Sequence, residues 1–226
     1  MLSALELLQF RNPSISPVAS LSELDQRSFV EWCDRKQITL LLGSLAGHSM
    51  PLWLLEPIRR RTASYGCRFE RLKTELFQVT EALDAGHLEF VMLKGLSHAP
   101  ALTPEARLRA QGDIDLWLPR ESVERARDIL TKLGYVPLLQ SKARHLAPMG
   151  RPSSWRWGGG DMFDPDMPVS VELHYELWSE QTEHIAVPGI QQFWVRRKVR
   201  EFDGHHLHVL CDEDLVAFSA LHFLLH

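Results

Sequence analysis

Between Thr62 and Ala85 the apolar residues Phe69, Leu72, Leu76, Val79 and Leu83 recur at three- and four-residue spacings, with a polar face from Arg71, Lys73, Glu75 and Glu81. That period predicts an amphipathic helix ended by Gly86. Residues 1 to about 86 read as helical in general, broken into short pieces at Pro13, Pro17, Gly43, Gly47, Pro51 and Pro57. Further along, the period changes to two. Val169, Val171 and Leu173 alternate with Ser170, Glu172 and His174, which predicts a half-buried strand with Glu172 on its polar face. Glu89–Lys94 reads as a short buried strand, and Asp113–Leu118 as a second one. A helix over Glu121–Leu133 leads to a strand over Gly134–Leu139. Arg196–Phe202, the turn Asp203-Gly204 and the run from His205 predict a hairpin.

The candidate chemistry begins at Asp113-Ile114-Asp115, an acid-apolar-acid triplet whose two carboxylates fall on one face of a strand. Two such charges repel unless a cation lies between them, so a hard divalent metal bound through oxygen is the natural occupant. Glu172 adds a third acid from a second strand. The strand ending at Lys94 runs into Gly95-Leu96-Ser97 and a short helical stretch closed near Pro100. A strand, glycine and helix start of this kind lets backbone N–H groups approach an anion, with Lys94 and Ser97 available to phosphate oxygens.

Leu93-Lys94-Gly95, Arg109-Ala-Gln-Gly-Asp113-Ile-Asp115-Leu, Leu133-Gly134-Tyr135 and Val171-Glu172-Leu173-His174, in that order, resemble the uncharacterised nucleotidyltransferase family within the polymerase-β-like superfamily. The resemblance covers about residues 85 to 226. It implies an α+β fold: a small mixed sheet flanked by helices, with residues 87–226 as the catalytic domain and 1–86 as an N-terminal helical region. It also implies metal and catalytic roles for Asp113, Asp115 and Glu172, two magnesium ions, and a nucleoside triphosphate donor, ATP among the candidates. Lys94, Gly95, Ser97 and Arg109 become the nucleotide-binding set. In such a site two ions stabilise the attacking and leaving oxygens of an in-line displacement at the α-phosphate. The superfamily places Gly-Ser directly after its first strand, whereas Leu96 separates Gly95 from Ser97 here. The competing expectation is a catalytically inactive nucleotide-binding or partner-binding regulator on the same fold.

Composition narrows the remainder. The net charge of −4 supplies no global attraction for nucleic acid, and 45% hydrophobic content over 226 residues suits one sizeable core with a helical appendage. That appendage is expected to pack as a lid or flank, with a separate protein-binding module as the alternative. Cys33, Cys67 and Cys211 are odd in number and far apart, which points to reduced thiols in a cytoplasmic protein. Met1–Phe10 lacks a basic start and carries Glu6, so it predicts no leader, and no run is long enough for a membrane span. His206 with His208, and His222 with His226, lack the partner motifs of zinc sites and read as structural. His174, on the polar face of the Glu172 strand, is the histidine expected to orient a metal-bound water or the acceptor, with a hydrogen bond within the sheet as the alternative. The basic and aromatic stretch from Ser141 to Asp166, with Trp155, Trp157 and Gly158-Gly159-Gly160, reads as packing over the sheet or as a mobile cover for a nucleotide. The pattern stops at Leu224-Leu225-His226 in mid-helix, which leads us to expect a missing or short C-terminal portion and exposed apolar surface favouring a homodimer.

Overall fold

The computed structural model describes residues 16–47, 50–138, 145–156 and 162–225. Trp157, the Gly158-Gly159-Gly160 run and His226 therefore lie outside the described residues. The chain divides into two compact units: residues 1–70, 105–111 and 157–167 form one, and residues 71–104, 112–156 and 168–226 the other.

The first unit is helical: α1 (Ser16–Ala19), α2 (Glu23–Arg35), α3 (Thr39–Ala46) and the first part of α4 (Leu52–Ala85). Helix α2 starts at Ser22, whose hydroxyl accepts from the Asp25 N–H, with Glu23 and Asp25 favourably placed in the first turn. Its core gathers Val18, Val30, Cys33, Leu42, Ala46, Leu54 and Ile58. Burial pushes the Cys33 thiol up to about 12, as suits a packing cysteine. Two of the expected breaks fail here: Gly43 lies inside α3 and does not end it, and Pro57 lies inside α4 and does not break it. Pro57 sits in the second turn, where it removes a single intrahelical hydrogen bond. Burial of Leu54 and Ile58 on either side offsets that loss. At the far end of this unit's share of α4, the buried Tyr65 hydroxyl donates to the Arg109 carbonyl at 3.0 Å and accepts from the Gln111 N–H at 2.9 Å. Burial pushes that hydroxyl up to about 12, so it remains a neutral donor.

The second unit is built on a seven-stranded mixed sheet of order β3-β4-β5-β2-β1-β7-β6. Its strands are β1 (Val91–Met92), β2 (Asp113–Trp117), β3 (Val136–Pro137), β4 (Met149–Gly150), β5 (Ser170–His174), β6 (Lys198–Phe202) and β7 (His205–Val209). The β2–β5 and β1–β7 pairings are parallel and the others antiparallel. The β6–β7 hairpin turns at Asp203 and Gly204, both at positive φ, as a two-residue hairpin requires.

Helix α4 crosses one face of this sheet. Its Phe77 stacks on His205 with ring centroids 3.8 Å apart, while Glu75 accepts from Tyr135 and Gln78 from Arg151, each at 2.9 Å. The predicted stripe Leu72, Leu76, Val79 and Leu83 is fully buried beneath it. Helix α5 (Val123–Lys132) lies against β5. The opposite face is covered around β1 by α7 (Gln192–Val195) and α8 (Asp212–Leu225), where Val91 and Leu93 pack with Phe193, Leu215 and Phe218. A short α6 (Glu180–Glu183) precedes them. No helix among the described residues is long and apolar enough to cross a membrane.

Tyr65→Phe is expected to strand a buried N–H and a carbonyl at once, lowering stability by about 1–3 kcal/mol in urea unfolding followed by circular dichroism.

Candidate active site

Parallel pairing of β2 with β5 sets Asp115 directly beside Glu172 and Trp117 beside His174. Strand alternation carries Asp115, Glu172 and His174 to one face of the sheet. Their ligand atoms lie within 4.8 Å of one another. His174 Nε2 is 2.9 Å from Asp115 Oδ1 and 3.5 Å from Glu172 Oε2. Lys94, just past β1, places Nζ 2.9 Å from the same Asp115 Oδ1. The strand that delivers it is held by the Leu93 N–H on the Asp115 carbonyl. His145 bridges to His174 along the sheet and sets Nε2 3.9 Å from Glu172 Oε2.

The charge balance follows from these distances. Asp115 has a side chain with no exposure, whereas Glu172 and His174 keep 20% and 13% and so form the solvent-facing rim. Burial works to raise the Asp115 carboxyl, but the hydrogen bond from His174 and the charges of Lys94 and His174 outweigh it and hold the group below the usual carboxylate range. Asp115 Oδ2 is buried and has no hydrogen-bond partner among the described residues. An orphaned carboxylate oxygen in such a place carries a desolvation penalty that a coordinated cation removes. Two carboxylates and an imidazole therefore fit one divalent cation.

The turn after β1 is shaped by Gly95 at φ 67°, a left-handed conformation that favours glycine, and by a short 3-10 helix over Gly95–His98. The buried Ser97 hydroxyl donates to the Lys94 carbonyl at 3.2 Å and so braces this turn. Arg200 of β6 clamps it from outside, donating to the Ser97 carbonyl at 2.8 Å and to the Ala99 carbonyl. Asp212 anchors Arg200 at 2.9 Å and Lys198 at 2.8 Å, and the Lys198 hydrogen bond leads the causes that lower its carboxyl.

Of the residues expected at the site, Asp115, Glu172 and Lys94 are brought together, and Gly95 and Ser97 shape the adjoining turn. Asp113 sits on the same face two residues before Asp115, opposite Ser170, and is not among the three whose ligand atoms converge. Arg109 belongs to the helical unit. Sequence reasoning singled out His174 but not His145 or Arg200. The one signal for Arg200 was its place in the predicted hairpin strand, and for His145 its place in a basic stretch.

An α+β protein with a carboxylate cluster at the centre of a mixed sheet is the class that this fold and site define. The chain belongs to the uncharacterised nucleotidyltransferase family, whose family model matches residues 22–226. It is similar to the crystal structure of a candidate nucleotidyltransferase from Thermotoga maritima, with a TM-score of 0.41 and 13% identity over 70% of this chain and 88% of that one. No curated protein matches the chain.

Because the Asp115 carboxyl is depressed when folded, its ionised form stabilises the protein above the ordinary value near 3.9, and this contribution is lost as pH falls toward the depressed value. Lys94→Met removes one of the cations responsible and moves the titration upward. Urea unfolding at about pH 7 and about pH 3 is expected to show a larger loss of stability in the native chain than in the variant. Equal losses would mean that Lys94 does not set the charge of Asp115.

Proposed function

We propose that the chain is a divalent-metal-dependent nucleotidyltransferase that moves a nucleoside monophosphate from a nucleoside triphosphate to a hydroxyl of an acceptor. The observation that carries this reading is the buried, half-orphaned carboxylate of Asp115, converging with Glu172 and His174, in a member of a nucleotidyltransferase family. Divalent ions bound there, two in the full reading, would neutralise developing charge and lower the pKa of the acceptor hydroxyl.

The protein groups then divide the remaining work. Asp115 is the fixed ligand, held by strand pairing and without exposure. Glu172, at the rim, would ligate and accept the proton of the attacking hydroxyl. Asp113, on the same face, supplies the further carboxylate that a second ion needs. Lys94 holds Asp115 Oδ1 and would be the ammonium for the triphosphate, with the Gly95 and Leu96 amides of the turn as further donors.

The test is titration with ATP, GTP, CTP and UTP, with and without magnesium, followed by transfer from a labelled triphosphate in cell extract. Asp115→Asn is expected to weaken metal-dependent nucleotide binding roughly tenfold or more, equivalent to about 1.4 kcal/mol, and to abolish transfer. Asp113→Asn is expected to abolish transfer as well. Tight binding without transfer by the native chain would identify the non-catalytic regulator instead, and binding unaffected by Asp115→Asn would remove the site.

A further inference from the structure

We infer that His174 Nε2 is itself a metal ligand, so that the centre takes a nitrogen-accepting cation in preference to magnesium. This rests on the proposed metal-dependent reading and concerns which cation the site selects. The set brought together is Asp115, Glu172 and His174, and not the three carboxylates that an oxygen-seeking ion would use, because Asp113 is outside the convergent group. Two ligands of one ion at about 2.1 Å each stand up to about 4.2 Å apart, so a group within 4.8 Å needs only small side-chain adjustments to close on a cation.

The orientation of His174 supports the same role. Its Nε2 points at two carboxylate oxygens at once, 2.9 and 3.5 Å away, and its side chain is 13% exposed. A single ring N–H can serve only one of those oxygens well, whereas a cation in front of the ring nitrogen would serve both. The ring is also held in place. His174 pairs with Trp117 in the parallel register on one side and with His145 on the other. The His145 ring lies 5.0 Å from it and is itself fixed by a 2.7 Å contact from Nδ1 to the Leu146 carbonyl. That contact places a proton on Nδ1 and leaves Nε2 of His145 facing Glu172 Oε2 at 3.9 Å, a second nitrogen directed at the same acids. Magnesium favours oxygen ligands and keeps its waters, while imidazole suits zinc, iron, copper and nickel.

The experiment uses the full chain with manganese(II) chloride as the probe and pulsed electron paramagnetic resonance as the readout. The native chain is expected to bind manganese with a nitrogen hyperfine coupling that changes on incorporation of nitrogen-15 histidine. His174→Asn is expected to lose that coupling and to weaken manganese binding roughly tenfold or more, with a much smaller effect on magnesium. His145→Ala should retain the coupling. Manganese bound by the native chain without nitrogen coupling would overturn the inference and leave the nucleotidyltransferase reading standing. Coupling that survives His174→Asn but not His145→Ala would assign the nitrogen to His145 and overturn it equally. Failure of the native chain to bind manganese or magnesium would sink both readings. Should His174→Asn not fold, the labelled native spectrum alone decides whether a histidine nitrogen ligates.

Discussion

Everything at the site depends on the parallel, in-register pairing of β2 with β5. Side chains alternate with a period of two, so a slip of one residue would send Asp115 and Glu172 to opposite faces. The register is held because the intervening residues have a face of their own: Ile114, Leu116, Val171 and Leu173 are all fully buried. Burial of those four makes a slipped pairing expensive, since it would expose them and bury their charged neighbours. The apolar positions therefore place the acids. The placement of the acids is a by-product of core packing on the other side of the same strands.

Asp115 could not hold its charge without the groups that surround it. A fully buried carboxylate is disfavoured by several kcal/mol unless paired and hydrogen-bonded. Lys94 and His174 supply that pairing at one oxygen, and the other oxygen has no hydrogen-bond partner among the described residues. Lys94 can do this only because the chain turns sharply after it, and the turn depends on Gly95 at positive φ and on the Arg200 clamp. Arg200 is in turn held by Asp212 at the start of α8. A line of polar contacts thus runs from the last helix, through a strand and a turn, to the buried aspartate.

How much of this was legible in the sequence depends on the range of the interaction. The stripe from Leu72 to Leu83, the alternation from Val169 to His174 and the Asp203-Gly204 hairpin are local patterns, and all three form as expected. Pro57 misled because a local breaker was outweighed by burial of its neighbours. Asp115, Glu172 and Lys94 were found because each sits at a recognisable end or face of an element. Arg200 and His145 were not, because their roles exist only across long sequence separations, Arg200 to Ser97 and His145 to His174. The convergence of His174, and not Asp113, with the other two acids is a matter of side-chain direction and sheet twist. No spacing rule reports that.

The face that bears the acids is also the face that α7 and α8 cover near β1, and this shared use has an electrostatic consequence. Val91 and Leu93 pack there with Phe193, Leu215 and Phe218, while Trp117 stands edge-on to Trp194 with centroids 5.0 Å apart. Asp115 lies on the neighbouring strand, directly across from Leu93, so one side of it is a low-polarity wall. Charges beside such a wall interact more strongly than the same charges in water. Lys94 and His174 are thereby worth more to Asp115, and the unpartnered oxygen is more strongly disposed to take a cation. Glu172 and His174, farther along toward β4, meet solvent and can exchange ligands. The site is accordingly graded across the sheet, from a fixed and buried acid beside the apolar wall to a rim that faces solvent.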